Sequence, residues 1–179
     1  LSSSSRGRLG VEAGRIADLL TLFRMLSAVL IAVALATGSL MVTAVLLSAA
    51  WLSDALDGRM ARVGGNSRLG QWDVIADAMV GAGAAIGLAL SGILPIWLAL
   101  TAVIGFGWLL VAGNLAAGML LQLTGFIPVL WRLWIERPDV WWLPFVTALA
   151  IGVLEWRKLI YVSIPTFLRG MMGRFERRR

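Results

Sequence analysis

Between Ser53 and Asp77 the chain reads SDALDGRMARVGGNSRLGQWDVIAD, a stretch that holds four of its ten acidic residues. Asp54 and Asp57 are three apart and Asp73 and Asp77 four apart, so on helices each pair shares one face. The chain has no histidine and no cysteine. Any metal must therefore be held by oxygen, which favours hard cations such as Mg²⁺ or Mn²⁺. Two such ions about 3.5–4 Å apart would neutralise the four carboxylates and clamp a diphosphate.

The elements that must position these residues are apolar. The 179 residues are 59% hydrophobic and only 15% charged, where a soluble domain carries about a quarter charged. The apolar runs read as membrane-spanning helices, and a charge at the centre of such a helix costs about 2.5–3.5 kcal/mol, which makes intramembrane carboxylates a functional hypothesis by default. The expected fold is an all-α bundle of six transmembrane helices. LSSSSRGRLG (1–10) reads as a linker or trimmed start, and 11–179 as a single membrane-embedded domain. Residues 11–18 are expected to form a short juxtamembrane helix lying on the membrane surface. Spans follow at about Leu19–Ala36, Leu40–Gly58, Leu69–Leu90, 94–112, 115–134 and Val140–Trp156. Gly38-Ser39, the loop 63–68, Ser91-Gly92, Gly113-Asn114 and ERPD (Glu136–Asp139) make the breaks. Reading 94–121 as one long helix would give five spans and move the tail across the membrane.

With six spans, Arg6, Arg8, Arg15, Arg59, Arg62, Arg68, Arg157, Lys158 and the basic tail fall on one face, and only Arg132 and Arg137 fall opposite. The positive-inside rule makes the first face cytoplasmic. The net charge of +6 is thus assigned to topology and membrane lipid head groups, not to nucleic acid. Trp97, Trp131, Trp134, Trp141, Trp142 and Trp156 lie near span ends, where interfacial anchors belong.

Helix rise sets the depth of the acidic residues. Asp57 lies about 7.5 Å below Arg62 and Asp73 about 7.5 Å below Arg68, with Asp54 and Asp77 about 12 and 13.5 Å down. The two pairs match across an antiparallel hairpin just under the cytoplasmic surface. Gly58, Gly64, Gly65 and Gly70 at the rim let a substrate approach the backbone closely, although helix packing explains them as well. Arg59, Arg62 and Arg68 offer forked donors for phosphate oxygens; alone, each also reads as topological charge.

Asp54, Asp57, Gly58, Ala61, Arg62, Gly70, Asp73 and Asp77 together resemble the signature of the CDP-alcohol phosphotransferase (CDP-alcohol phosphatidyltransferase) family. Upstream, Asp18, Thr21 and Arg24 are similar to that family's Asn-x-x-Thr-x-x-Arg, with Asp in place of Asn. The resemblance covers about 18–90. The spacing on either side of Gly70 is one residue shorter than the family's pattern, which rotates Gly70 by about 100° on its helix. The resemblance implies a membrane enzyme of phospholipid biosynthesis that transfers the phosphatidyl, or other substituted phosphoryl, group of a CDP-alcohol such as CDP-diacylglycerol to an acceptor alcohol and releases CMP. It implies two divalent ions on Asp54, Asp57 and Asp73, with Asp77 as a further ligand or the general base. Gly58, Ala61, Arg62, Gly70 and Thr21 would hold the CDP portion, and Arg24, Arg59, Arg68, Arg157 and Lys158 would meet phosphate or acceptor. A homodimer in the cell membrane, for a bacterial chain, is also implied.

Other classes remain open at this point. A family member impaired by the shortened loop would keep the fold without turnover. A cation-coupled transporter also carries acidic residues in its spans, but near the midplane and often within repeats, whereas these cluster near one surface and no repeat is visible. A membrane prenyltransferase uses aspartate clusters too, on a longer chain and with a different signature.

Overall fold

From Leu19 to Ala36 the sequence has no glycine or proline, and nothing upstream ends a helix either: an isolated Gly costs about 1 kcal/mol relative to Ala, too little to break a run of good helix formers. In the computed structural model, which describes residues 3–64, 72–156 and 159–171, this segment is one unbroken helix, α1 (Ser3–Ala36). The expected division into linker, surface helix and span is therefore not observed. Ser3–Gly10 are the first turns of the helix whose apolar part spans Gly14–Ala36.

α2 (Leu40–Gly64), α3 (Asp73–Leu90), α4 (Ile96–Val111), α5 (Leu115–Glu136) and α6 (Trp142–Leu154) follow. Their breaks are those marked in the sequence. Gly38, Gly92 and Gly113 adopt positive φ of 74°, 77° and 96°, the left-handed conformation that helix ends reserve for glycine. After Gly113, the Asn114 side chain accepts from the Ala116 N–H at 3.1 Å and starts α5, so 94–121 is two helices. α2 extends beyond its expected end, to Gly64, and the rest of the expected loop lies outside the described residues. A π-helical turn (Leu159–Ser163) and a short terminal helix α7 (Ile164–Met171) complete the order; α7 lies against α5.

The described residues are helical without strands. Four helices are long and apolar enough to cross a membrane: α1, α2, α3 and α5; α4 and α6 are apolar but shorter, at 16 and 13 residues. Large apolar side chains face outward along all of them, as on a protein solvated by lipid.

The packing order differs from the simple hairpin. α1 lies along both α2 and α3, which touch each other little. Consecutive α2 and α3 are thus held apart by the first helix. Backbones approach closely on both sides of α3: a Cβ on Gly83 would sit 2.2 Å from the Ala28 carbonyl oxygen of α1, and one on Gly81 would sit 2.5 Å from the Gln122 Cα of α5. Gly125 closes the second crossing, its Cβ position 2.3 Å from the Gly81 carbonyl oxygen. Small residues at such crossings are how helices associate where lipid offers no hydrophobic drive. Around them Ile31, Leu35, Leu47, Leu88, Val129 and Leu133 form a closed core.

Candidate active site

Three helices contribute to the site, each through residues one turn apart: Thr21 and Arg24 on α1, Asp54 and Asp57 on α2, Asp73 and Asp77 on α3. Because α1 lies between the other two, the carboxylates face each other across Arg24. Its side chain is 1% exposed and bonds to all four. Nη1 donates to Asp54 Oδ1 at 3.0 Å and to Asp77 Oδ1. Nη2 donates to Asp57 Oδ2 at 2.7 Å and to Asp73 Oδ1. The depth argument paired the same residues, Asp54 with Asp77 and Asp57 with Asp73. What it lacked was the cation between them.

Thr21 Oγ1 lies 3.3 Å from Asp57 Oδ2 and 3.2 Å from the Ala17 carbonyl oxygen, so its one proton is shared between the helix backbone and the acid. Asp57 is the buried member of the quartet. The other three side chains are open to about the same degree, at 34% for Asp54, 36% for Asp73 and 27% for Asp77. The cluster is sealed on the α1 side and accessible on the other. Beside it is a cavity of about 50 Å³, lined by Asp54, Asp77, Trp51, Gln122 and Phe126 among others. Trp51 and Phe126 meet edge to face there, with centroids 5.2 Å apart.

Among the described residues one guanidinium faces the four carboxylates, and Arg24 Nε and the neighbouring Ser27 Oγ are buried without a hydrogen-bond partner. Among the described residues no three acidic side chains are arranged to hold a metal ion as they stand. The reason is visible: the guanidinium occupies the space between them. The donor set fits a divalent cation, because it is four carboxylates, all oxygen.

Several expected site residues lie partly or wholly outside the described residues. The backbone of Gly58, Arg59, Ala61 and Arg62 continues α2 past Asp57, and their side chains lie outside the described residues, as do Arg68, Gly70, Arg157 and Lys158 altogether. One residue of the site was not read from the sequence, and another was read in a different role. Arg24 was placed as a phosphate contact and is the centre of the cluster. Gln122, the one amide in the apolar run of α5, was passed over; its signal was a lone polar side chain within a span.

Comparison with known proteins agrees with this geometry. No curated protein and no solved structure matches the chain. The family model of CDP-alcohol phosphatidyltransferase does match, over residues 15–154, a range that contains α1 from its apolar part to the end of α6 and all six residues of the cluster. The chain belongs to the CDP-alcohol phosphatidyltransferase family.

Proposed function

We propose that the protein transfers the phosphatidyl group of CDP-diacylglycerol, or the substituted phosphoryl group of a similar CDP-alcohol, to the hydroxyl of a small acceptor alcohol, releasing CMP. The observation that carries this reading is the convergence of four carboxylates from α2 and α3 on one buried cation of α1, in a chain of this family.

Asp54, Asp57 and Asp73 would hold Mg²⁺ or Mn²⁺, with Asp77 as a further ligand. Ions so bound supply Lewis-acid neutralisation of the diphosphate and lower the pKa of a coordinated hydroxyl. The chain's own residues do the rest. With no histidine present, a carboxylate is the available base, and Asp77, partly open and lining the cavity together with Asp54, would take the acceptor's proton. As that proton leaves, the acceptor oxygen bonds to phosphorus and the bond to the CMP oxygen breaks. Arg62 would be the forked donor for phosphate oxygens, and Thr21 fixes the orientation of Asp57 from behind. Gly58, Ala61 and Gly70 would give the CDP portion close access to the backbone, and Arg59, Arg68, Arg157 and Lys158 would gather a charged acceptor.

The bundle would cross the membrane six times, with the site toward the cytoplasm, as the distribution of basic residues supports. The homodimer is left out of the proposal, since the exposed apolar side chains are those of any lipid-facing helix.

Purified protein in detergent, given CDP-diacylglycerol, Mg²⁺ and a panel of acceptor alcohols, is expected to release CMP only when an acceptor is present. Silence across the whole panel with both Mg²⁺ and Mn²⁺ would mean that the cluster is not a working transferase.

A further inference from the structure

The cavity at the carboxylates does not end at them. A second cavity, of about 260 Å³, lies between α5 and α7, with Met119, Leu123, Ile164 and Phe167 in its wall and Ser163 as its one hydroxyl. Gln122 and Phe126, one turn apart on α5, line both cavities. The polar cavity and the apolar one therefore meet at this pair.

Gln122 is held there by backbone geometry. Gly81 lies one turn beyond Asp77 on α3 and meets the Gln122 backbone closely enough that a Cβ would collide with it. The amide is thus fixed one helical turn from the acid end of α3. Among the described residues it makes no hydrogen bond of its own. Gln122 is half-buried and is the one amide of α5. A carboxylate at this place would add a fifth negative charge to the cluster, whereas an amide donates hydrogen bonds without charge.

We propose that Gln122 is a specificity-determining residue, whose side-chain NH₂ donates to an ester carbonyl of the lipid-linked donor. The proposal rests on the transferase reading above. A donor with its phosphates at the carboxylates and an acyl chain in the apolar cavity must pass its glycerol ester through the junction between them. That group accepts hydrogen bonds and cannot donate them, so it needs what Gln122 has and the neighbouring aspartates lack.

The test uses the full-length protein in detergent and two lipids, CDP-diacylglycerol and its dialkyl ether analogue, which lacks the ester carbonyls. Binding is measured by calorimetry, and CMP release separately. Wild type is expected to bind the diacyl lipid about tenfold more tightly than the ether, as one hydrogen bond is worth. Gln122→Met, of similar shape and without donors, should bind both equally, at the ether's affinity. The wild-type comparison of the two lipids stands even where the variant fails to fold. Equal binding of the two lipids by wild type, an unchanged ester preference in Gln122→Met, or a shift in the acceptor's KM in place of the donor's would each overturn the proposal. A Gln122-dependent ester preference without CMP release would overturn the transferase reading and leave this one standing.

Discussion

The molecule uses arginine and carboxylate together in two regions, and it uses them differently. At the far end of α3 and α5, Arg132 Nε bonds Glu136 Oε1 at 3.0 Å and its Nη1 reaches Ser91 Oγ at 3.3 Å. Nearby, Arg137 bonds Asp139 through Nε at 2.9 Å and Nη2 at 2.6 Å. Each cation there has one acid, and each acid is about half exposed. Such pairs contribute about 0–1 kcal/mol. At the other end one buried arginine faces four acids. The matched pairs tie down helix ends. The cluster gathers four acids around one described cation in an apolar bundle, where a bound cationic group would lower the cost of their charge.

The comparison is broken most directly at Asp77. Asp77→Asn is expected to lower acceptor-dependent CMP release at least about 100-fold, within the range of general-base loss, while Glu136→Gln leaves it unchanged. Near-full turnover in Asp77→Asn would reduce the cluster to a structural feature like those at the other end.

Arg24 separates the ends by stability. Removing one partner of a buried ion cluster costs about 3–5 kcal/mol, and the low end applies here because three of the acids are partly open to solvent. Arg24→Leu should therefore melt well below wild type in EDTA and regain most of the loss in Mg²⁺, since ions that bind only the folded state stabilise it. Arg132→Leu should show little loss and no response to Mg²⁺. A metal-independent loss in Arg24→Leu would mean that the acids do not receive divalent cations.

How much of this was legible in the sequence follows from which physical signals are local. The turns at Gly38, Gly92 and Gly113 were readable because a helix end selects glycine at positive φ. The pairing of Asp54 with Asp77 and of Asp57 with Asp73 was readable because helix rise fixes depth. The position of α1 was not. Thr21, Arg24 and Ser27 share one face of its 19–36 run and mark its buried side, but a stripe does not say which neighbours it packs against, and the hairpin of α2 and α3 looked like a direct contact. With α1 placed wrongly, Arg24 could not be seen as the shared partner. The helical start at Ser3 was hidden by serine-rich composition. Gln122 needed the α3–α5 crossing, which depends on Gly81 and Gly125 meeting across two segments more than forty residues apart.

Those crossings give the next prediction. Gly83→Ala would drive a Cβ to 2.2 Å from a backbone oxygen of α1, which neither helix can yield by a rotamer change. Forcing extra volume into a packed contact costs about 1–3 kcal/mol, and shifting α3 from α1 moves Asp73 and Asp77 relative to Arg24. Thermal melting and CMP release should both fall. Gly105 of α4 has open space around its Cβ position, so Gly105→Ala should hold or raise the melting temperature, by about 0.5–1 kcal/mol of helix preference. Equal losses at both positions would show that helix propensity, and not the approach of α3 to α1, governs the acid end.

The smallest effect belongs to Asp139. Its contact with Arg137 holds the carboxyl below its ordinary value and raises the arginine, both through the hydrogen bonds between them. An acid whose folded-state pKa is lowered adds stability above its unfolded pKa and loses it as pH falls through the folded one. Any contribution is therefore fully present at neutral pH and fades only below the usual carboxylate range. The pair is about half exposed and spans two residues of one turn, so solvent screens it and little structure depends on it. Trp142 Nε1 is held by the Asp139 carbonyl at 2.7 Å, a backbone contact that the side-chain change leaves in place. Asp139→Asn and wild type should therefore melt together from about pH 5 to 8, above the ordinary aspartate value. A drop in Asp139→Asn as large as that in Arg24→Leu would mean that exposure and stoichiometry do not distinguish the two ends.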